Sequence, residues 1–349
     1  MLYSVITLKV FLDQVGKDLI GKDSFRGVTL TYAWLANQFG HFGLGFIPAV
    51  ILYGLFPNWS KNAPFRGLKP AIFVTGFWVL FETYNFLGPL LLKQQAKPYV
   101  FPPRWGNIAF DTLTDVGFFA LGAFTAAVAW SRRRKARLIA VCIGLALAYP
   151  AYWWYTCKMY LQYAEYPSQI RLGEWNLKIS SRDAAQVSSF LNIRDSGNHM
   201  LLFGSRNSGK TSLAIAMATE CSFQREACFY TSAMKLLSLF FDRDPYSGPW
   251  NWRSANLLVI DDINPGEPLH NELITATAFQ DVVTASGRDN VRLLASKNII
   301  WVAGSEGDDA AFRKKWVDML LAIGVDKRRI RVVNLGDYDA ERRVRQTFQ

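Results

Sequence analysis

A short stretch in the second half of this 349-residue chain restricts the fold more than any other. An apolar run from Met200 to Phe203 precedes Gly204-Ser-Arg-Asn-Ser-Gly209-Lys210-Thr211, and residues 212–220 are rich in Ala, Leu and Met. The order is strand, glycine-rich loop, helix, which is the context that turns a Gly-x-x-x-x-Gly-Lys-Thr match into a P-loop. The stretch therefore predicts an α/β domain built around a buried strand.

The residue types in this loop suit the binding of a nucleotide phosphate. Glycines allow successive backbone N–H groups to curve around an anion, and the next helix contributes its positive end. Lys210 is expected to reach the β- and γ-phosphates, while the Thr211 hydroxyl is expected to hold Mg²⁺. The predicted nucleotide-binding residues are Gly204, Ser205, Arg206, Asn207, Ser208, Gly209, Lys210, Thr211 and Ser212.

Two carboxylates follow a second apolar strand about 50 residues after the P-loop. The run Leu257 to Ile260 ends at Asp261 and Asp262, which is the Walker B pattern. A buried central strand would place Asp261 beside Thr211, where it orients the Mg²⁺ shell. Asp262 is then the expected base that activates the attacking water.

The remaining elements complete a five-stranded, mostly parallel sheet. Cysteine and aromatic residues in 227–231 predict a second strand, Asn298 to Ser305 a fourth, and Ile330 to Leu335 a fifth. A helix is predicted over Phe312 to Ile323, followed by a basic turn at residues 326–329. The fourth strand carries no Asn-Lys-x-Asp, the motif that reads guanine, so ATP is favoured over GTP.

From about His199 to Leu335 the chain resembles the core of AAA+ ATPases of the ASCE P-loop class, nearest to the DnaC/IstB-like branch of helicase loaders and transposition helpers. The motifs Gly-x-x-x-x-Gly-Lys-Thr-Ser-Leu-Ala and Leu-Leu-Val-Ile-Asp-Asp carry the resemblance. The resemblance implies ATP hydrolysis with Ser305 near the γ-phosphate. It also implies a homo-oligomer in which Arg328 or Arg329 completes the site of a neighbouring subunit, and binding of single-stranded DNA.

Two features depart from the AAA+ pattern. Most members have Asp-Glu in Walker B, and the shorter side chain of Asp262 leads us to expect slow hydrolysis. Only 14 residues follow Leu335, too few for the C-terminal helical lid and its sensor arginine, so we expect no lid. Both features favour a nucleotide switch over a motor.

The first half of the chain predicts a membrane domain. Four apolar stretches cover about residues 28–56, 70–92, 107–130 and 138–155, and Trp and Tyr crowd their ends as in an interfacial aromatic belt. We therefore expect a bundle of about four transmembrane helices. Residues 1–26 are expected to form an amphipathic helix, either at the membrane surface or as an ordinary soluble helix, because apolar residues recur at helical spacing.

The predicted domains are a membrane domain over residues 1–160, a junction over 161–198 and the P-loop domain over 199–349. Within the junction, the alternation from Gly173 to Ser180 predicts a small strand, and Ser181 to Leu191 predicts a helix.

The net charge of +11 belongs almost entirely to the membrane half. Residues 1–163 contain 16 Lys and Arg against 6 Asp and Glu, whereas residues 164–349 contain 23 against 22. Basic residues beside apolar spans are typical of membrane-proximal charge, so the pI is no argument for nucleic acid. The four cysteines show no metal-ligand spacing and are expected to be reduced thiols.

Ionisable residues inside the apolar stretches mark a candidate intramembrane site. His41, Glu82, Asp111 and Asp115 all lie within the predicted spans, and the two aspartates share one helix face. Such a cluster would bind a cation, relay protons or grip a polar headgroup, or it would only orient the helices. The phrases around these residues loosely resemble VanZ-like small membrane proteins, over about 100 residues.

Topology leaves a conflict open. ATP places the P-loop domain in the cytoplasm under an inner-membrane bundle, yet four spans would then put the basic segment 131–137 outside, against the positive-inside tendency. A re-entrant last stretch, broken at Pro150, is one way out.

The sequence predicts a membrane-anchored, AAA+-like ATPase that switches or drives a membrane process, with the bilayer, further copies of itself and an unidentified protein as partners. Three alternatives remain. The first is a membrane-tethered ATPase directed to nucleic acid, and the second is a membrane-embedded polar-site protein regulated by its ATPase domain. The third is a nucleotide-gated scaffold with negligible turnover.

Overall fold

The computed structural model describes residues 6–19, 30–91, 100–101, 105–131, 133–177, 179–192, 195–242, 248–264, 274–304 and 310–335. The chain divides into two compact units. The helical unit comprises Gly27–Pro98 and Pro103–Lys158, and the sheet unit comprises Met1–Arg26, Tyr99–Pro102 and Met159–Gln349. The sheet unit thus includes residues 1–26, which the sequence analysis grouped with the membrane domain.

Long helices make up the helical unit. They are α2 (Leu30–Leu55), α3 (Leu68–Leu91), α4 (Trp105–Ser131) and α5 (Arg134–Tyr163), the last of which ends within the residues of the sheet unit. Glycine allows α2 and α4 to pack closely, as is common between membrane helices. A Cβ on Gly45 would lie 2.0 Å from the carbonyl oxygen of Phe119, and one on Gly122 would lie 2.1 Å from that of Phe42.

Three helical segments are long and apolar enough to cross a membrane within the part of the chain that the structure describes: Asn37–Leu55, Trp105–Ser131 and Arg134–Tyr163. The predicted count of four is therefore matched in part. Residues 70–91 of the predicted stretch 70–92 do lie in a helix, α3, which is not among these three segments. The proposed break at Pro150 is wrong, because α5 continues through it as one helix of 30 residues.

The sheet unit contains five parallel strands, as predicted. They are β1 (His199–Gly204), β2 (Cys228–Ser232), β3 (Leu257–Asp261), β4 (Asn298–Gly304) and β5 (Ile330–Asn334), in the spatial order β2-β3-β4-β1-β5. Every residue of β1 and β3 is buried, as expected for a parallel sheet covered on both faces. Because all strands run the same way, β1, β3 and β4 end at one edge of the sheet.

Helices accompany these strands. They are α1 (Leu8–Leu19), α6 (Ser181–Leu191), α7 (Lys210–Phe223), α8 (Ala233–Leu239), α9 (Ala276–Ala285), α10 (Arg288–Ser296) and α11 (Ala310–Ala322). The predicted helices at residues 181–191 and 312–323 are confirmed, as is a helix within residues 1–26. The predicted strand from Gly173 to Ser180 is wrong, since the segment begins with a 3₁₀ turn at Leu172–Glu174 and its other described residues lie outside any strand.

The core of the sheet unit is aromatic. Trp301 of β4 is fully buried and lies 5.4 Å from Phe279 of α9 and 6.2 Å from Trp316 of α11, between ring centroids. Its indole Nε1 donates a 3.0 Å hydrogen bond to Nδ1 of His199. Burial lowers the pKa of His199 to about 4, so this histidine is a neutral core residue. None of the four cysteines, all of which lie within the described residues, forms a disulfide bond.

Candidate functional site

The P-loop lies where β1 gives way to α7. The strand ends at Gly204, and the helix begins at Lys210 after a loop of five residues. Two loop residues adopt left-handed backbone conformations, Asn207 with φ 63° and Gly209 with φ 87°. Gly209 also has no room for a side chain, because a Cβ would lie 2.3 Å from Cδ1 of Leu177. The second glycine of the motif is thus required by both conformation and packing.

The amino group of Lys210 lies inside the curve of this loop. Its Nζ donates a 2.5 Å hydrogen bond to the carbonyl oxygen of Ser205 and lies 3.5 Å from the hydroxyl of Ser208. Burial lowers the pKa of Lys210 to about 8, although the nearby Asp261 carboxylate opposes the shift. Among the described residues, the hydrogen-bond acceptors of this buried cation are uncharged oxygens, so it is well placed to receive an anion.

The structure brings Thr211 and Asp261 together, as the sequence predicts. Thr211 is the second residue of α7 and Asp261 the last of β3, and the threonine hydroxyl donates a 3.2 Å hydrogen bond to Oδ1 of the carboxylate. The backbone N–H of Asp262 donates to the same oxygen at 2.8 Å. A hydroxyl beside a carboxylate is a hard oxygen donor set of the type Mg²⁺ prefers, so these residues fit the ion.

Asp262 stands at the exposed rim of the same edge. Its backbone has φ 52°, a left-handed conformation that aspartate tolerates better than most residues. Partial burial of the carboxyl group, with the neighbouring Asp261, raises the pKa of Asp262. A raised pKa makes a carboxylate a stronger base at neutral pH.

The other predicted site residues have different outcomes. Ser305 follows the last residue of β4 but lies outside the described residues, and so does the segment 336–349 that bears on the predicted absence of a lid. Arg328 and Arg329 precede β5, whose first residue pairs with His199 at the start of β1. They therefore lie at the sheet edge opposite the P-loop, and their predicted role in a neighbouring subunit's site stays a prediction.

Three residues close to the P-loop were not anticipated. Leu177 packs over Gly209, and Trp175 donates a 3.1 Å hydrogen bond from its indole Nε1 to the hydroxyl of Ser212. Tyr230 of β2 donates its hydroxyl to Oδ2 of Asp261 at 2.7 Å. All three are aromatic or aliphatic residues that local patterns assign to a core, so the sequence carried no signal for them.

The candidate intramembrane residues form a cluster in the helical unit. Asp115 of α4 receives a 2.6 Å hydrogen bond from the amide nitrogen of Gln38 and lies 3.1 Å from Nδ1 of His41, both on α2. Glu82 of α3 is buried near them and interacts electrostatically with Asp115. Asp111 lies one turn away on α4 and is half-buried. Among the described residues, no group of three or more His, Cys, Asp or Glu is arranged to hold a metal ion.

Comparisons with known proteins separate the two halves of the chain. Residues 1–136 match a family model described as a predicted membrane protein, DUF2238. A crystal structure of the DnaC helicase loader is similar to part of the chain, with 14% sequence identity and a TM-score of 0.32, over 47% of this chain and 96% of that chain. No curated protein matches.

Proposed function

We propose that this protein is a membrane-anchored ATPase that converts ATP and water into ADP and phosphate. The observation that carries the proposal is the meeting of Thr211 with Asp261 beside a loop whose interior holds the Lys210 amino group. A chance glycine-rich turn would not require a carboxylate from another strand at this point.

The residues divide the work between binding and chemistry. The backbone N–H groups of 205–211 and the positive start of α7 surround the phosphates, and Lys210 neutralises their charge. Thr211 and Asp261 would hold Mg²⁺, which would offset negative charge on the phosphates when bound. Asp262 would accept a proton from the attacking water, and Ser305, outside the described residues, stays the predicted residue near the γ-phosphate.

The membrane half anchors this site. We infer that α3 crosses the bilayer with the three apolar segments, since its 24 residues measure about 36 Å at 1.5 Å per residue and the hydrocarbon core is about 30 Å thick. The sheet unit then lies in the cytoplasm of an inner-membrane protein, where ATP is available. Nucleotide state switches the membrane domain or an unidentified protein partner.

The two arginines before β5 differ in their suitability for a neighbouring site. The Arg329 guanidinium donates a hydrogen bond to the carbonyl oxygen of Ser196 in its own chain. Arg328 is exposed, so it is the better candidate for completing the site of a second subunit in a homo-oligomer.

Phosphate release from detergent-solubilised protein tests the function. Wild type is compared with Lys210→Ala and Asp262→Asn, and with matched controls on the exposed face of α11, Lys314→Ala and Asp318→Asn. We expect about a hundredfold loss or more in both site variants, because transition-state stabilisation by a positioned charge is worth this much. If both site variants keep wild-type activity, the proposal is contradicted.

Adding single-stranded DNA to the same assay tests the nucleic-acid alternative. That alternative predicts stimulation that falls steeply with salt concentration. The near-neutral charge of the P-loop half leads us to expect no stimulation.

A further inference from the structure

Tyr230 lies close to the proposed metal-holding carboxylate but belongs to no motif. It is the middle residue of β2, the strand at one edge of the sheet, beside β3. Its phenol hydroxyl donates a 2.7 Å hydrogen bond to Oδ2 of Asp261, the oxygen that Thr211 does not contact. The two oxygens of the carboxylate are therefore held from two sides.

This arrangement fixes the plane of the carboxylate. Thr211 and the backbone N–H of Asp262 hold Oδ1, and among the described residues Tyr230 holds Oδ2. Without the phenol, the carboxylate would rotate about its Cβ–Cγ bond at little cost, because terminal sp³–sp² torsions have broad minima. Partners that orient a ligating carboxylate commonly set the metal affinity of the site.

The last turn of α5 and the residues directly after it hold Tyr230 and its strand in position. The Tyr230 backbone N–H donates to a partner outside the sheet. It forms a 2.8 Å hydrogen bond to the carbonyl oxygen of Ala164, the residue directly after α5. One residue later, Glu165 forms a 2.9 Å ion pair with Lys235 of α8. The rings of Tyr160 and Tyr163 pack against Trp250, whose indole donates to the carbonyl oxygen of Cys228 in β2.

We propose that Tyr230 is a positioning residue that orients the Asp261 carboxylate toward Mg²⁺ and so sets the Mg²⁺ affinity of the nucleotide site. The proposal rests on the proposed function, since it requires that Thr211 and Asp261 hold the ion. Tyr230 touches neither nucleotide nor water in the reaction; it acts through Asp261.

Mg²⁺-dependent binding of a fluorescent ATP analogue to the full-length, detergent-solubilised protein tests the proposal. In Tyr230→Phe, the Mg²⁺ concentration for half-maximal binding should rise about 10- to 100-fold, the usual consequence of losing a partner that orients a metal ligand. Affinity for the analogue in EDTA should change less than twofold, because the P-loop is untouched.

Tyr166→Phe is the matched control. Tyr166 is another tyrosine of the sheet unit, buried where Tyr230 is half-buried, and its hydroxyl forms a 2.9 Å hydrogen bond, but to Ser222 at the far end of α7. Its removal should leave the Mg²⁺ dependence unchanged. A shift as large as that of Tyr230→Phe would overturn the proposal, because it would show a general packing effect.

A double-mutant cycle separates positioning from a fold defect. In an Asp261→Asn background, Tyr230→Phe should produce no further shift in Mg²⁺ dependence, because the two residues act through one contact. Equal shifts in both backgrounds would overturn the proposal. A different result would overturn the proposed function itself. Wild type would then bind no analogue, or would bind it no better than Lys210→Ala does. If wild type binds with a Lys210-dependent, Mg²⁺-dependent signal and Tyr230→Phe matches it, only the positioning role is lost.

Discussion

The P-loop site and the intramembrane cluster both bury charged side chains, but they leave different groups in need of a partner. In the sheet unit, Lys210 is a buried cation whose hydrogen-bond acceptors are the uncharged oxygens of Ser205 and Ser208. In the helical unit, Asp115 is already paired with the amide of Gln38 and the ring of His41. A cation that awaits an anion differs in this way from a carboxylate that already has polar partners in its own chain.

The same difference appears in the backbone. The P-loop has left-handed backbone conformations at Asn207 and Gly209, and Leu177 packs closely against Gly209. Such backbone conformations are typical of ligand-binding loops. The intramembrane cluster sits on two regular helices, α2 and α4, which pack closely through Gly45 and Gly122. We therefore attribute ligand binding to the first region and helix orientation to the second, and three predictions test that division.

The largest expected effect is that of Gly209→Ala. An alanine would combine a left-handed backbone, which costs about 1–2 kcal/mol for a residue with a Cβ, with a steric clash against Leu177. We expect loss of binding of the fluorescent ATP analogue.

Gly324→Ala is the control for this variant, because Gly324 has φ 99° but open space where its Cβ would lie. It should lower the thermal stability slightly and leave nucleotide binding intact. A second change, Leu177→Ala, should restore part of the binding lost in Gly209→Ala. If the two glycine variants bind equally well, the close packing at Gly209 has no functional consequence.

An intermediate effect is expected from pH. The pKa of Lys210 is lowered to about 8, so above this pH the free protein loses the cation and the KM for ATP should rise, by up to about tenfold per pH unit. Because the pKa of Asp262 is raised, kcat should fall on the acidic side as the base becomes protonated, at a higher pH than an ordinary aspartate would give.

Steady-state kinetics across the pH range measures both limbs. Asp318→Asn should keep the acidic limb, whereas the small residual activity of Asp262→Asn should lack it. A KM that is flat from pH 7 to 9.5 would contradict the lysine assignment.

The smallest effect should come from Asp115→Ala in the helical unit. Removing the carboxylate takes the hydrogen-bond acceptor from Gln38 and the ion-pair partner from His41. Polar contacts between membrane helices are worth about 0.6 kcal/mol on average and up to about 1.7. We expect a slightly lower thermal midpoint in detergent and unchanged phosphate release. Normal stability with loss of a membrane-dependent activity would instead favour a functional intramembrane site.

Sequence patterns predicted the sheet unit more fully than the helical unit. The five strands were found because each is a short apolar run with a turn signal after it, and the P-loop is a motif with a fixed backbone consequence. The strand predicted at Gly173 to Ser180 was wrong. Apolar and polar residues also alternate in an irregular segment when every second side chain packs against the protein, as those of Trp175 and Leu177 do.

The number of spans was harder to predict than the number of strands. Residues 70–91 lie in a helix, α3, which is not among the three segments of the described chain that are long and apolar enough to cross a membrane. A break at Pro150 is wrong, because α5 continues through the proline, as membrane helices often do.

The sequence by itself determined the chemistry that is local: the phosphate-binding loop, the lysine and threonine at its end, and the paired aspartates after an apolar strand. The tertiary structure alone decided which distant residues meet these groups. Tyr230 reaches Asp261 because β2 lies beside β3, and Leu177 covers Gly209 because the chain before β1 folds over the loop. Strand order and the path of a connecting segment depend on the packing of the whole unit, and no short window of residues encodes them.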